Sequence, residues 1–249
     1  MSWTGRYRNI MRPGKIVTLA VLVAATCIVN AGPAFCEEYS SGALKSISAV
    51  TDRMMIGAPV TEDQAYYMAA PDITKPAAFP NATGYILLGD SRVVGIDESC
   101  RINATPDNHF VIAAGGQGYD YLREKAFPAA EKIEKAYPQI KRWKYIVNIG
   151  INDMSNLYKY MGLLGYQGTL KDIYVVSVNP IVDDPAFTAI GCTNESIADF
   201  NRKLKDTVNV KYVDTYSVLM LEGYDTLDHL HYTDKTNRRI FELIKAAVP

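Results

Sequence analysis

Histidine is scarce in this chain. Only His109, His229 and His231 occur among 249 residues, so imidazole-based proton transfer near neutral pH has few places to sit. Cysteine is nearly as rare. Cys27 and Cys36 belong to an N-terminal stretch unlike the rest, which leaves Cys100 and Cys192. With no CxxC and no His-Cys cluster, a structural zinc site has no support. A formal charge of −1, from 26 basic and 27 acidic residues, excludes a global field that would hold the chain on nucleic acid or an anionic membrane. Neither GxGxxG spacing nor a Gly-Lys-Ser/Thr ending is present, so a phosphate loop is unsupported. No internal repeat and no low-complexity tract interrupts the sequence.

The apolar runs are short. The longest, Ile16 to Val29, follows Arg6, Arg8, Arg12 and Lys15 and precedes Asn30-Ala-Gly-Pro-Ala-Phe-Cys36. At about 14 residues it falls below the ~20 of a membrane span. A basic stretch, an apolar run and a small-residue region are the three parts of a secretory signal. Residues 1–36 are therefore read as a signal peptide and the protein as secreted or at the cell surface; an uncleaved membrane anchor is the rival. Cleavage after Cys36 puts Ala34 at the third position back, and Phe35 argues against a lipoprotein signal. Residues 37–83, ending in Pro71, Pro76, Pro80 and Asn81, read as a partly helical leader or linker. In an oxidising compartment Cys100 and Cys192 could pair or remain two separate thiols.

From residue 84 to 249 a rhythm of short apolar runs sets in. Tyr85–Leu88, Phe110–Ala114, Tyr145–Ile149, Ile173–Val178 and Val210–Val213 are continuous enough to be strands buried on both faces of a parallel sheet. Between and after them, Tyr119–Tyr137, Ser196–Val208 and Lys235–Ala247 carry helical apolar spacing. Strands alternating with helices predict an α/β fold, an open and mainly parallel five-stranded sheet covered on both sides as a three-layer sandwich. Ligands of such sheets sit beyond the carboxyl ends of the strands.

Four stretches at or near those ends carry chemistry. Gly89-Asp90-Ser91-Arg92 puts a hydroxyl at the start of a helix, where unpaired N–H groups favour developing negative charge; alone, it equally suits a turn with a helix cap. Gly115-Gly116-Gln117-Gly118 lets backbone approach a ligand closely, or simply turns. In Asn148-Ile149-Gly150-Ile151-Asn152-Asp153, an Asn amide could donate to an oxyanion and Gly150 could leave room for substrate, or Asn152 or Asp153 could cap a helix near Met154. Asp228-His229-Leu230-His231 offers an imidazole base and a carboxylate to fix its tautomer. Metal binding through His229 and His231 is the weaker alternative, since residues two apart in extended chain face opposite ways.

Together, in the order Ser, Gly, Asn, Asp-x-x-His, these blocks resemble the SGNH (GDSL-type) hydrolase superfamily, over roughly Gly84 to the C-terminus. The wording Gly-Asp-Ser-Arg, Gly-Gln-Gly-Tyr and His-Tyr-Thr is similar to that of extracellular members from Gram-positive bacteria. The resemblance implies a flavodoxin-like SGNH fold, Ser91 as nucleophile and Asp228 orienting His231 as base. It also implies an oxyanion hole of the Ser91 N–H, the Gly118 N–H and the Asn152 side chain, with Gly115 and Gly116 competing for the second place. Two departures stand out. His229 occupies a position usually held by glycine, where it could stiffen the turn or compete as base. Arg92 adds a cation beside the nucleophile, either a substrate contact or a helix-surface residue. The implied activity is cofactor-free hydrolysis of short acyl esters, acetyl above all, on carbohydrate or cell-wall glycan. Tyr158-Lys159-Tyr160 would suit sugar stacking or a packed core, and no long apolar lid segment is evident. An O-acyltransferase and a non-catalytic glycan-binding protein on the same fold are the alternatives.

Overall fold

The computed structural model describes Met68–Ala69 and residues 82–249; the expected signal peptide, and all but residues 68, 69, 82 and 83 of the leader, lie outside the described residues. In chain order the elements are β1 (Met68–Ala69), β2 (Thr83–Gly89), α1 (Ser91–Cys100), β3 (His109–Ala114) and α2 (Tyr119–Tyr121), which runs through a π-helical stretch (Leu122–Ala126) into α3 (Phe127–Ala136). There follow β4 (Arg142–Asn148), a 3-10 turn (Met154–Asn156), α4 (Leu157–Gly168), β5 (Asp172–Val176) and α5 (Pro185–Ala189). The chain closes with α6 (Asn194–Leu204), β6 (Lys211–Val213), α7 (Tyr216–Glu222) and α8 (Asp234–Ala247).

The sheet order is β1-β3-β2-β4-β5-β6. Strands β2 to β6 are parallel throughout, while two-residue β1 adds an antiparallel edge, Met68 opposite Ala114. All five expected strands are present. The edge strand was not foreseen, because two residues carry no periodicity.

Continuous apolar runs are needed because successive side chains point to opposite faces and both faces are covered. Ile86, Leu88, Phe110, Tyr145, Val147 and Ile173 pack on one side against Ile133 of α3, Leu164 of α4 and Ile197 and Leu204 of α6. Leu87, Val111, Ile146 and Val176 pack on the other against Val93 and Ile96 of α1 and Ile240 and Ile244 of α8. The result is an α/β/α sandwich. Cys192 lies in the first layer, Cys100 against the second, and both thiols are free.

Helix limits differ from the periodic reading where local chemistry intervenes. α6 starts at Asn194 because Thr193 and Ser196 form a reciprocal capping box, and it ends at Leu204, leaving Val208 exposed. The expected helix over Tyr119–Tyr137 is a single helical run with a π segment before Pro128; a proline inside a helix removes one donor, and a π register accommodates that. α4 was anticipated only as a helix beginning near Met154, without an extent, since Gly162, Gly165 and Gly168 weaken its helical signal. Two of those glycines admit the neighbouring chain: a Cβ on Gly168 would lie 2.2 Å from the Asn209 carbonyl oxygen, and one on Gly165 3.3 Å from Val208. Within α4, Tyr160 is buried and Tyr158 exposed.

The segment leaving β5 is held by one buried side chain. Asn201 of α6 accepts a hydrogen bond from the Val178 N–H through Oδ1 and donates to the Val178 carbonyl through Nδ2, both at 2.8 Å. Replacing Asn201 with Ala leaves two buried backbone groups unpaired, at a cost of about 2–4 kcal/mol. Thermal unfolding of the variant should show a midpoint lowered by roughly 5–15 °C; an unchanged midpoint would refute this role.

Candidate active site

Strands β2, β3 and β4 deliver three of the four sequence blocks to one end of the sheet. Gly89 ends β2, and a Cβ there would lie 2.2 Å from Val93 Cγ2 and 2.6 Å from the Asn148 carbonyl oxygen. Only glycine lets the chain turn this tightly into α1. Asp90 caps that helix, its Oδ1 accepting from the Arg92 N–H at 3.0 Å, and Ser91 is the first helical residue.

The fourth block arrives from the segment between α7 and α8. An isolated antiparallel bridge between Thr226 and Tyr232, with the Leu227 N–H donating to the His231 carbonyl at 2.7 Å, folds Asp228–His231 into a tight turn. Asp228 Oδ1 accepts from the backbone N–H groups of Leu230 (3.1 Å) and His231 (2.7 Å). Its Oδ2 stands 2.7 Å from His231 Nδ1, and His231 Nε2 stands 2.9 Å from Ser91 Oγ. With Nδ1–H donating to the carboxylate, Nε2 carries the lone pair facing the serine hydroxyl. Burial alone would raise the Asp228 carboxyl; the hydrogen bonds and charge of His231 and the two backbone donors bring it below its ordinary value. The carboxylate is therefore ionised at neutral pH.

His229 occupies the corner of this turn at φ 69°, the left-handed conformation in which glycine is at ease. Its Nδ1 lies 2.9 Å from Asp184 Oδ2 and its carbonyl accepts from the Val182 N–H. Two histidines two residues apart thus take two different carboxylates, and only His231 meets Ser91.

At the end of β3 and β4, Asn152 Nδ2 donates to the Gln117 carbonyl at 2.8 Å. That carbonyl shares a peptide group with the Gly118 N–H, so Asn152 fixes the plane of the donor at Gly118. The peptide between Gly115 and Gly116 is held more loosely, its carbonyl accepting from Gln117 Nε2 at 3.3 Å. Gly118 leaves no space for a side chain, since a Cβ would lie 2.3 Å from Asp153 Oδ2. Asp153, expected only as a helix cap, makes no such cap. Its Oδ2 accepts from the Tyr119 N–H (2.8 Å) and Asn156 Nδ2 (3.0 Å), and its Oδ1 from the Tyr160 hydroxyl at 2.5 Å. Burial, reinforced by Asp153, holds the Tyr160 phenol well above its ordinary range, so it remains a donor. Asp153 clamps the glycine turn to α4. Its signal was hidden because a polar residue before a helix reads as a cap.

Two expected substrate contacts are corrected. Arg92 is 4% exposed, with Nη1 donating to the Asn179 carbonyl at 2.7 Å and the guanidinium carbon 5.3 Å from the centre of the Tyr232 ring. It is neither on the helix surface nor open to a ligand. Gly150 has φ +133°, and a Cβ there would lie 3.0 Å from Phe200 Cζ; its lack of side chain admits Phe200, not substrate. Beside Asp153, a recess of about 320 Å³ opens between the start of α4 and one side of α6, lined by Met154, Leu157, Ile190, Phe200 and Lys203 among others.

No family model matches the chain, and no curated protein does either. Solved structures do. A Streptococcus pneumoniae protein, provisionally described as a platelet activating factor, is 15% identical with a TM-score of 0.54, covering 81% of this chain and 97% of its own. A Slackia heliotrinireducens protein, provisionally assigned as an SGNH hydrolase, is 12% identical with a TM-score of 0.53, covering 68% of this chain and all of its own, 100%. At these identities the likeness establishes a shared fold.

Burial raises the Asp90 carboxyl to about 6, against the lowering effect of the Arg92 charge and N–H. A carboxyl raised on folding stabilises the native state fully below its unfolded value near ~4, and this contribution is lost as pH rises through 6. Asp90→Asn carries no such titration. Between pH 4 and 7 the wild type should lose about 2 kcal/mol relative to that variant, measured by urea unfolding at both pH values. Parallel pH profiles would contradict the assignment.

Proposed function

We propose that this chain, which has the SGNH hydrolase fold, is a serine hydrolase of carboxylic esters with Ser91 as nucleophile, His231 as general base and Asp228 as its orienting carboxylate. The observation that carries this reading is the unbroken relay Ser91 Oγ, His231 Nε2, His231 Nδ1, Asp228 Oδ2, with steps of 2.9 and 2.7 Å. A binding protein has no need of a serine hydroxyl held against an imidazole whose far nitrogen is held by a carboxylate.

In the first half-reaction Ser91 Oγ attacks the ester carbonyl carbon as its proton passes to His231 Nε2. The imidazolium is stabilised by ionised Asp228. Negative charge on the carbonyl oxygen falls to the N–H groups of Ser91 and Gly118 and to the remaining Asn152 amide hydrogen. The tetrahedral intermediate collapses, the C–O bond to the alcohol breaks, and His231 returns the proton to the departing oxygen. In the second, His231 takes a proton from water, the hydroxide attacks the acyl-enzyme, and the acid is released as Ser91 recovers its hydrogen.

The substrates proposed are short acyl esters, chiefly acetyl, on carbohydrate or cell-wall glycan outside the cell. Export rests on the basic, apolar and small-residue sequence of residues 1–36. A short acyl group on a polar carrier is favoured by the lack of any long apolar lid segment in the sequence.

Replacing Ser91 with Ala should lower turnover of p-nitrophenyl acetate by about 10⁴-fold or more, abolish labelling by a fluorophosphonate and leave the unfolding midpoint within a few degrees. His231→Ala should be comparably inactive, whereas His229→Gly should stay within about threefold of wild type, because its ring is engaged with Asp184. Undiminished activity in Ser91→Ala, or equal losses at the two histidines, would overturn the assignment.

A further inference from the structure

We infer that Arg92 is a positioning residue for the Ser91–His231 pair, its guanidinium wedged between the segment that carries the nucleophile and the segment that carries the base. This rests on the serine-hydrolase reading above. Arg92 follows Ser91 in the first turn of α1, and Tyr232 follows His231 directly. The guanidinium lies against the Tyr232 ring at 5.3 Å and donates from Nη1 to the Asn179 carbonyl at 2.7 Å. The Tyr232 hydroxyl in turn donates to the Pro180 carbonyl. One cation therefore touches three chain segments at the carboxyl end of the sheet: the start of α1, the exit from β5 and the residue after the base. Asn179 is itself fixed, with Oδ1 accepting from the Thr215 hydroxyl at 2.6 Å. The clamp consequently has a rigid anchor. If the guanidinium shifts, the separation between Ser91 Oγ and His231 Nε2 shifts with it.

The same group is a poor choice for stability alone. Arg92 Nε and Nη2 are buried without a hydrogen-bond partner among the described residues, and the preceding carboxylate, Asp90, which accepts from the Arg92 backbone N–H, is itself costly to ionise. Replacing an imperfectly satisfied buried cation with an apolar side chain of similar length is often neutral or stabilising. A residue kept for packing would lose stability and activity together. One kept for positioning would lose activity without losing stability.

Arg92→Met and Arg92→Lys are to be prepared in the full chain, with p-nitrophenyl acetate kinetics, the rate of fluorophosphonate labelling of Ser91 and thermal unfolding measured on each. For Arg92→Met, kcat and the labelling rate should fall by about 30- to 100-fold, the scale of a displacement of about 1 Å in a reacting pair. KM should stay within about twofold, and the unfolding midpoint should be unchanged or higher. Lysine restores the charge but not the planar fork, so Arg92→Lys should recover only part of the loss. In a Tyr232→Leu background, Arg92→Met should cost less than it does alone, because the clamp has already been broken. A rise in KM at constant kcat would instead make Arg92 a substrate contact. A loss of kcat matched by a large fall in the midpoint would make it structural, and unchanged kcat and labelling would remove the role altogether. Absence of labelling in the wild type would instead defeat the underlying hydrolase reading.

Discussion

The contact between Ser91 Oγ and His231 Nε2 joins residues 140 positions apart, and the rest of the site is arranged around holding it. A parallel sheet makes this possible, since β2, β3 and β4 all release their chains at the same edge. Bringing the histidine back to that edge takes the remainder of the fold. The chain must pass through β5, α6, β6 and α7 before the short bridge of Thr226 and Tyr232 turns Asp228 and His231 toward the serine. Both oxygens of Asp228 are occupied, one by two backbone donors and the other by the imidazole. The ring has one orientation and one tautomer that satisfy these partners.

Around this contact the protein buries several charges, and they are not equivalent. Asp228 is held ionised by the donors that surround it. Asp153 is fully employed by Tyr119, Asn156 and Tyr160, so that it acts as a bracket for the glycine turn. Asp90 is raised by burial and opposed by Arg92. The serine turn thus carries a buried carboxylate and a buried guanidinium, each of which burial makes costly to keep charged.

Much of this was legible in the sequence because two signals agree. Buried parallel strands require unbroken apolar runs, and those runs marked β2 to β6. Ser91, Gly118, Asn152, Asp228 and His231 are singled out by the resemblance of their four blocks, taken in order, to SGNH hydrolases; each block alone, at or near a strand end, reads equally well as a turn or a helix cap. Contacts made across the fold were not legible. Arg92 is adjacent to the serine, yet its partners are Asn179 and Tyr232, which no local spacing reveals. Gly150 reads as an opening, although Phe200 fills the space beside it. Asp153 reads as a cap because the Gly118 turn it braces lies more than thirty residues earlier, and the extent of α4 was obscured by its glycines, two of which admit Val208 and Asn209. His229 could be recognised as unusual for its position, but its partner Asp184 lies 45 residues away.

The central claim is that Ser91 becomes acylated by way of His231. The most direct measurement is mass spectrometry of the protein quenched in acid during turnover of p-nitrophenyl acetate. One acetyl group should be found on the peptide containing Ser91 in the wild type, and none on that peptide in His231→Ala. Release of p-nitrophenol without acetylation of Ser91, or acetylation that persists at equal level without His231, would contradict the account.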